Sequence, residues 1–490
     1  MTRAARALAL ALTAWAFITL AWLAWRRLGH PFDLEWLEGA TLWHAQRILD
    51  GQPLYPPPSI DFVPHPYTPL YPALLALWGR LFGVSYALAR ALSLASFLGA
   101  LAVGWRFVRN AGGSRALATA AMAIPCAAFV PTGAWIDLAR VDSLWLLLSA
   151  AGATLAWQAR AARPASTAAL ATAAALMVAA FFTKQTAAPL MLAVALALAL
   201  ADRRAALVFV AGLALFGLPS LWAMQRASGG WFWFYIFGVH HSHAWSAALA
   251  AMVPGRLAQL LFPGVVLAAW ALLRDRSSTT RYAAWLAAVG VASSAVAKGT
   301  AGAYTNALLP GVYFGALFIG VAAARLVDGE SRRSAVAWLL VAGTLATAPG
   351  GIPRALQRLF PWRYHVLQHT GYLPTDFVPG ADDRARDQKL VDRIRATPGA
   401  VWLPSRPWYA HLAGKRPLAG EMAWLDLAPT GVPIAGFDDA LRTGRFAAVI
   451  LDDPYAPALE PLVARSTVER IEGPPDVVGM RRLWWWLTPR

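Results

Sequence analysis

The chain has 490 residues, of which 58% are hydrophobic and only 14% are charged, and its formal net charge is +17. Soluble proteins carry about 25% charged residues, so the composition excludes an ordinary soluble protein and indicates a polytopic membrane protein. A nucleic-acid partner would require the positive charges on one folded face, whereas they stand in small groups between apolar runs. That spacing is typical of the positive-inside topology of membrane proteins.

The first apolar run follows a basic N-terminus and is long enough, at roughly twenty residues, to cross a bilayer of about 30 Å. A signal peptide is the alternative, but the run is too long and lacks a small-residue cleavage site. We therefore predict a retained first helix and about eleven membrane spans in all. They lie near residues 5–25, 84–105, 116–132, 142–158, 165–182, 187–201, 205–223, 254–273, 282–297, 303–324 and 335–350.

The polar segments between these spans differ in charge, and the difference predicts the orientation of the chain. Groups of arginines fall on one side, which we predict to be cytoplasmic. They are Arg3 and Arg6; Arg106, Arg109 and Arg115; Arg160 and Arg163; Arg203 and Arg204; Arg274, Arg276 and Arg281; and Arg325, Arg332 and Arg333. Nearly all other polar residues fall on the opposite side, so we expect any chemistry to be extracytoplasmic.

The first outer loop, residues 26 to 83, contains a predicted helix near 37–50, a turn at Gly51 and an amphipathic, proline-started segment, 67–83, suited to the membrane interface. After about residue 355 the charge rises and apolar runs shrink to strand length, as in "FAAVILDD". The expected fold is an all-α polytopic bundle over 1–350 with a small C-terminal α/β extracytoplasmic domain over 351–490. The late run "RRLWWWL" could pack this domain onto the membrane surface.

The stretch "DLEWLEG" places Asp33, Glu35 and Glu38 directly after the first span. On a helix Glu35 and Glu38 share a face. Such a cluster can hold a divalent cation, or it can supply a general base beside a second carboxylate that tunes its pKa. The alternative is a helix N-terminus that attracts negative charge, with Asp33 or Glu35 near the cap.

A second acidic stretch, "GAWIDLARVDSLW", places Asp137, Arg140 and Asp142 at the outer end of the fourth span. Ionisable groups are costly there and usually face a bundle interior or a cavity. Asp137 and Arg140 can pair at a spacing of three residues, which would be a purely structural role. That pair would leave Asp142 unexplained.

Two lysines stand at the outer boundary of later spans. "FFTKQTAAP" contains Lys184 and Gln185, and "AVAKGTAGAYTNALLP" contains Lys298 followed by Tyr304 and Asn306. Snorkelling lysines are one interpretation. Two outer ammonium groups beside amide donors also suit one anionic ligand, such as a lipid phosphate.

Three histidines, His240, His241 and His243, follow each other closely in "GVHHSHAW". They look like metal ligands, but no fourth ligand follows at a recognisable spacing. A polar loop that contacts a lipid headgroup or an acceptor is therefore favoured over a zinc site.

The order of these motifs resembles that of the C-type (GT-C) glycosyltransferase superfamily, whose polytopic enzymes use polyprenyl-phosphate sugars. "DLEWLEG", "LDGQPLYP", "YTPLYP", "DLARVDS", "TKQ" and "KGTAGAYTNALLPG" carry the resemblance over most of residues 1–350. The chain is most similar to bacterial family 39-like members. The resemblance implies a glycosyltransferase of the bacterial inner membrane that moves a hexosyl or pentosyl group to a lipid, glycan or protein acceptor on the extracytoplasmic face.

The resemblance also implies roles for residues. Members often have an Asp-Glu pair where this chain has Leu37-Glu38, so the base is assigned first to Glu38, assisted by Glu35 or Asp33, and the sugar carbon inverts. Lys184 and Lys298, with Gln185, Tyr304 and Asn306, would bind the donor phosphate. Asp137, Arg140 and Asp142 would bind the sugar, or the two aspartates a divalent cation such as Mg²⁺ or Mn²⁺.

Two other classes of protein compete with the enzyme. A transporter or flippase of lipid-linked sugars would usually show inverted repeats or broken helices at the bilayer midplane. A noncatalytic scaffold would leave the acids and lysines without a role.

Overall fold

The computed structural model describes residues 1–162, 165–349, 373–452, 459–473 and 483–489. Arg163 and the predicted domain boundary near residue 351 lie outside these ranges. The helices up to residue 347 are α1 Thr2–Leu28, α2 Glu38–Leu49, α3 Leu70–Phe82, α4 Tyr86–Asn110, α5 Arg115–Ala127, α6 Asp142–Ala161, α7 Thr167–Thr183, α8 Ala188–Ala201, α9 Arg203–Ala227, α10 Trp231–Trp233, α11 Val239–Ser242, α12 Ala247–Leu260, α13 Phe262–Arg274, α14 Ser278–Gly299, α15 Leu309–Leu326 and α16 Arg332–Thr347.

Helical structure occurs at each of the eleven positions where hydropathy predicts a span. One prediction is wrong in detail: the span near 254–273 is two helices, α12 and α13, bent by 90°. Pro263 stands at the start of α13, where its missing N–H cannot continue the hydrogen bonding of α12. Among the described residues, four helices are long and apolar enough to cross a membrane, or five with the bent pair. The total of eleven spans stays a prediction.

The bundle is built around α15, nearly all of which is buried. Glycines on its surface let neighbouring helices approach: a Cβ at Gly320 would lie 2.7 Å from Val108 Cγ2, and one at Gly311 would lie 2.3 Å from Leu257 Cδ1. Small residues commonly allow such close packing between membrane helices. By contrast, α9 exposes Leu207, Leu215 and other large apolar side chains, as expected of a helix that faces lipid.

The first outer loop contains the two helices expected from its sequence. The predicted helix near 37–50 is α2, and Gly51 adopts a positive φ of 68° at the turn that follows it. The proline-started segment is α3, which buries Tyr71 and Leu75 and exposes Leu81 and Phe82. This two-faced distribution is the one expected of an interfacial helix.

The C-terminal part contains a small mixed sheet, as the short apolar runs predict. Its strands are β1 Val401–Trp402, β2 Ala448–Leu451, β3 Ser466–Glu472 and β4 Leu483–Pro489, in the order β1-β2-β4-β3. β1 and β2 are parallel, and β4 is antiparallel to both β2 and β3. Short helices accompany the sheet at Ala381–Ala396, Trp408–Leu412, Glu421–Leu427, Phe437–Arg442 and Glu460–Ala464.

The tryptophans of "RRLWWWL" are part of this sheet and do not form a membrane-facing surface. Trp484 and Trp486 lie on β4 and are buried in the core beneath the sheet. The alternation of a strand sends these two side chains to the same face, which the helix Ala381–Ala396 covers through Leu390 and Ile394. The prediction that this run packs the domain onto the membrane is therefore wrong for Trp484 and Trp486.

The C-terminal part packs directly on the first outer loop. Ile60 N donates to Ala435 O at 2.9 Å, and Ala419 N donates to Ile60 O at 2.9 Å. Phe32 lies in the same apolar core as Tyr409 and the sheet residues. The loop after α1 is thus enclosed between the helical bundle and the C-terminal sheet.

Candidate active site

The three clustered acids of the first outer loop, Asp33, Glu35 and Glu38, are all buried, but they have different partners. Asp33 Oδ1 accepts a hydrogen bond from Gly39 N at 2.7 Å, in the first turn of α2. The carboxylate therefore satisfies one of the open N–H groups of the helix and complements its dipole. Burial raises the pKa of Asp33 to about 7, although the nearby Arg406 lowers it.

Glu38 is held by four donors. Its Oε1 accepts from Arg90 Nε and Ala139 N, both at 2.9 Å, and its Oε2 accepts from Arg90 Nη2 and Leu34 N, both at 2.7 Å. Burial alone would raise the pKa of Glu38, but Arg90 and these hydrogen bonds hold it below the ordinary value. A carboxylate has about four lone-pair positions, so all of those on Glu38 are engaged.

Arg90 joins three segments around Glu38. Beyond the carboxylate, its Nη1 donates to Arg27 O at 3.0 Å and His30 O at 2.6 Å, and its Nη2 donates to Phe32 O at 2.7 Å. The guanidinium thereby fixes the chain as it leaves α1. The sequence signal for this role is a single arginine inside the apolar run of α4, where an unpaired charge would be costly.

Glu35 faces the segment between α5 and α6, residues 128–141, which we call the second outer loop. Its Oε2 accepts from Leu37 N at 3.2 Å and lies 3.4 Å from Arg140 Nη1. The Arg140 guanidinium lies 4.6 Å from the ring centre of Trp135, and its Nη2 donates to Tyr67 Oη at 3.4 Å. Glu35 is therefore the member of the acid cluster that points toward the other predicted site residues.

Asp137 forms an ion pair with Arg27, a residue that the sequence alone does not single out. Its Oδ1 lies 2.9 Å from Arg27 Nη1, at the end of α1, whereas Arg140 pairs with Glu35. The structural alternative of an Asp137–Arg140 pair is therefore wrong. Burial raises the pKa of Asp137 in spite of the arginine, and the ion pair ties the second outer loop to α1.

Asp142 forms a compact polar group with two predicted phosphate-binding residues. Lys184 Nζ lies 2.8 Å from Asp142 Oδ1, and Asn306 Nδ2 donates to the same oxygen at 3.0 Å. Lys184 stands in extended conformation at the end of α7, and its side chain is 18% exposed, compared with 5% for Asp142. The ammonium is thus held by a buried carboxylate but is still reachable.

An aromatic stack connects this group to the Glu35–Arg140 pair. The rings of Trp135 and Tyr304 lie 4.5 Å apart and nearly parallel, and Trp135 also faces Arg140. The close approach depends on Gly133, whose φ of 91° disfavours other residues and whose Cβ, if present, would lie 3.1 Å from Tyr304 Cε1. The predicted residues of three distant segments are therefore neighbours.

The remaining predicted residues lie around this centre. Gln185 Nε2 donates to Pro66 O at 2.8 Å, and His240 Nε2 lies 3.0 Å from the same carbonyl oxygen. His243 pairs with Asp426 of the C-terminal part at 3.2 Å, and the hydrogen bond to that carboxylate raises the pKa of His243. His241 is exposed. The ring centres of His240 and His243 lie 5.5 Å apart, so two of the three histidines are neighbours.

Lys298 occupies a different position from Lys184. Its half-buried side chain donates to the carbonyl of Ala303, within its own loop before Tyr304. Its connection to the centre therefore runs through this loop rather than through Asp142.

The five acids lie beside five cations, which offsets much of the cost of burying them. The pairs are Asp33–Arg406, Glu35–Arg140, Glu38–Arg90, Asp137–Arg27 and Asp142–Lys184. Within the described ranges, no three His, Cys, Asp or Glu side chains are grouped so that they could hold a metal ion. Because Asp137 and Asp142 each face a cation, they do not fit the predicted Mg²⁺ or Mn²⁺ ligands.

The helical bundle with these outer loops and a small C-terminal sheet is similar in fold to solved membrane-enzyme structures, so the resemblance inferred from the motifs is confirmed at the level of the fold. Crystal structures of ArnT from Cupriavidus metallidurans, in the apo state and bound to undecaprenyl phosphate, share this fold. Both have a TM-score of 0.57 and cover 97% of this chain; the bound structure is matched over 97% of its length at 12% identity, and the apo structure over 98% at 13%.

The oligosaccharyltransferase of Archaeoglobus fulgidus is similar as well. Its apo structure has a TM-score of 0.50 and 12% identity, with 96% of this chain and 74% of that chain covered. No protein-family model matches the chain, and no curated sequence is significantly similar to it. The likeness is one of fold, and the chemistry has to be argued from the side chains.

Proposed function

We propose that this chain is a glycosyltransferase that moves a sugar from a polyprenyl-phosphate donor to a hydroxyl of a lipid, glycan or protein, with inversion, at the extracytoplasmic face of the bacterial inner membrane. The support from the comparison is the ArnT structure that contains undecaprenyl phosphate, which is similar along nearly the whole chain. The observation that carries the proposal is the continuous polar centre from Glu35 through Arg140 to Lys184 and Asn306.

Lys184 is the group we assign to the leaving phosphate. Breaking the bond between the anomeric carbon and the phosphate oxygen increases the negative charge on the phosphate, and a preorganised cation opposes that charge most effectively. Asp142 holds Lys184 in place, and Asn306 in turn holds Asp142. Gln185 and Tyr304 line the same region, and Lys298 supplies a second cation from its adjacent loop.

Glu35 is the carboxylate we assign to the base. Glu38 has all its lone pairs engaged, and Asp33 caps α2. In the proposed step the acceptor hydroxyl gives its proton to Glu35, its oxygen bonds to the anomeric carbon, and the polyprenyl phosphate leaves from the opposite face. Phosphate is a good leaving group, so one inverting displacement suffices. Asp137 and Arg140 position the loop against the sugar.

The flippase is the second candidate, and one observation favours it. The bent pair α12–α13 is a broken helix of the kind that transporters use. However, the paired charges lie at the helix ends that we predict to be extracytoplasmic, rather than at a midplane site. The enzyme therefore explains more of the described polar residues.

The decisive experiment measures transfer of radiolabelled sugar from a panel of polyprenyl-phosphate monosaccharides in membranes that contain the native chain or Glu35→Gln, with and without EDTA. We expect label in an extractable or polymeric acceptor only with the native chain, and transfer that EDTA does not abolish. Loss of transfer with EDTA would mean that transfer requires a divalent cation. No transfer from any donor, with lipid-linked sugar still crossing the bilayer, would favour the flippase.

A further inference from the structure

Arg406, a charged side chain of the C-terminal part, reaches the buried acid cluster. The loop between β1 and the helix Trp408–Leu412 places Arg406 Nη1 3.7 Å from Asp33 Oδ2. The side chain of Arg406 is 4% exposed and that of Asp33 is fully buried. A charge buried this deeply is costly unless it is compensated, so the contact is a specific part of the fold rather than a surface ion pair.

The backbone around this pair leaves little freedom. A Cβ at Gly39 would lie 2.6 Å from Trp408 Cβ and 2.9 Å from Asp33 Oδ1. The start of α2, the Asp33 carboxylate and the helix that follows Arg406 are therefore in direct contact. The rings of Phe32 and Tyr409, on either side of this contact, have centres 5.6 Å apart. A shift of Arg406 would consequently be transmitted to the loop that holds Glu35 and Glu38.

We propose that Arg406 is a positioning residue of the active site, which fixes the Asp33 cap of α2 and thereby the orientation of Glu35. This inference rests on the proposed glycosyltransferase function. It gives the C-terminal part a direct role in the rate of transfer, in addition to any selection of the acceptor.

Simple docking of the C-terminal part does not require this residue. Ile60 is hydrogen-bonded to Ala435 and Ala419, and Arg445 Nη2 lies 2.6 Å from Asp61 Oδ1. The Arg445–Asp61 pair also connects the C-terminal part with the first outer loop, but its side chains are 41% and 38% exposed. It is therefore a matched control that lies outside the buried acid cluster.

The test compares the native chain with three variants, Arg406→Gln, Arg406→Lys and Arg445→Gln. For each protein, kcat, the donor KM and the melting temperature in detergent are measured. We expect Arg406→Gln to lower kcat by about 10- to 100-fold, the size typical of a misplaced catalytic group, with a donor KM within about threefold of native. Arg406→Lys should recover most of the rate. Arg445→Gln should resemble the native chain.

Two further readouts separate positioning from stability. If Arg406 acts through Asp33, the double variant Asp33→Asn, Arg406→Gln should be little worse than Asp33→Asn alone, because coupled sites are not additive. The charged and titratable groups around Asp33 include Arg406, Glu38, Tyr86 and Tyr409. The Asp33 carboxylate accepts from Gly39 N, and Arg406 lowers the pKa of Asp33. Removal of Arg406 should therefore move the part of the pH–rate profile that follows ionisation of Asp33 to higher pH.

The possible failures are distinguishable. A native chain that transfers no sugar would overturn the proposed function together with this inference. Native transfer that Arg406→Gln preserves would overturn the inference alone. The inference would also be overturned if the transfer rates of Arg406→Gln and Arg406→Lys fell only as far as the fraction of folded protein fell. It would be overturned as well if Arg445→Gln lost as much transfer rate as Arg406→Gln.

Discussion

At the scale of single residues, Glu35 and Glu38 have different environments and should respond differently to the same substitution. Glu38→Gln removes the negative charge that compensates the buried Arg90, and breaking a buried pair in this way costs about 3–5 kcal/mol. Glu35→Gln also breaks a buried pair, but its contact with Arg140 is longer, at 3.4 Å, and Arg140 keeps its contacts with Trp135 and Tyr67, so we expect a smaller loss of stability than for Glu38→Gln. The transfer rate of Glu35→Gln should fall by about 10²- to 10⁴-fold, as for the loss of a general base.

The measurement is the melting temperature in detergent together with the rate of sugar transfer. Glu38→Gln should fail chiefly through its stability, and Glu35→Gln chiefly through its rate. If the Glu38 variant were stable but inactive while the Glu35 variant was active, Glu38 would be the general base instead of Glu35.

The two lysines offer a second comparison. Lys184→Gln removes the cation that Asp142 holds, and we expect kcat to fall by about 10²- to 10³-fold, as when one donor to a developing anion is lost. Lys298→Gln removes a side chain that is bound to the carbonyl of Ala303, so its effect should be smaller. Rates with saturating donor would test this order, and equal losses would mean that both ammonium groups contact the phosphate.

The candidate site could be predicted from the sequence only in part. Acids and lysines stand out because ionisable groups are rare in so apolar a chain, and their order carries the resemblance to a known superfamily. Their partners do not stand out: Arg27 is one of two adjacent arginines that end the first apolar run, and Arg406 lies 373 residues after Asp33 in a segment of ordinary composition. The pairing of charges is a property of the fold, which local sequence does not encode.

At the scale of helices and strands, hydropathy predicts the positions of the helices because each must cover its backbone with apolar side chains over many residues. The bend between α12 and α13 escaped prediction since one proline can kink a span or end it, and only packing decides. The prediction that "RRLWWWL" packs onto the membrane surface is wrong for a similar reason. Three tryptophans suit a membrane interface and a strand of a buried sheet equally well.

Close helix contacts give a prediction at this scale. A Cβ at Gly290 of α14 would lie 2.8 Å from the carbonyl oxygen of Pro310, a backbone atom that cannot rotate away. Gly290→Ala should therefore destabilise the bundle by about 1–3 kcal/mol, as overpacking does. Gly255→Ala, where nothing lies within 4 Å, is the matched control and should be neutral or slightly stabilising. Melting temperatures in detergent decide the matter, and equal values would contradict the packing.

At the scale of the whole molecule, the proposed chemistry depends on which side of the membrane the acid cluster and the C-terminal sheet lie. Both lie on the same side, because the C-terminal part packs on the first outer loop through Ile60 and the Asp33–Arg406 pair. The predicted orientation places arginines such as Arg276 on the opposite, cytoplasmic side. One labelling experiment can therefore test the topology of all these segments.

Cys126 is the single cysteine and is buried, so Cys126→Ala gives a background without accessible thiols. In that background we introduce Gln388→Cys on the exposed face of the helix Ala381–Ala396, or Arg276→Cys in the exposed segment between α13 and α14. A membrane-impermeant maleimide should label Gln388→Cys in cells with a permeabilised outer membrane, and Arg276→Cys only after the inner membrane is lysed. The reverse pattern would place the acid cluster in the cytoplasm, where an extracytoplasmic donor sugar could not reach Glu35.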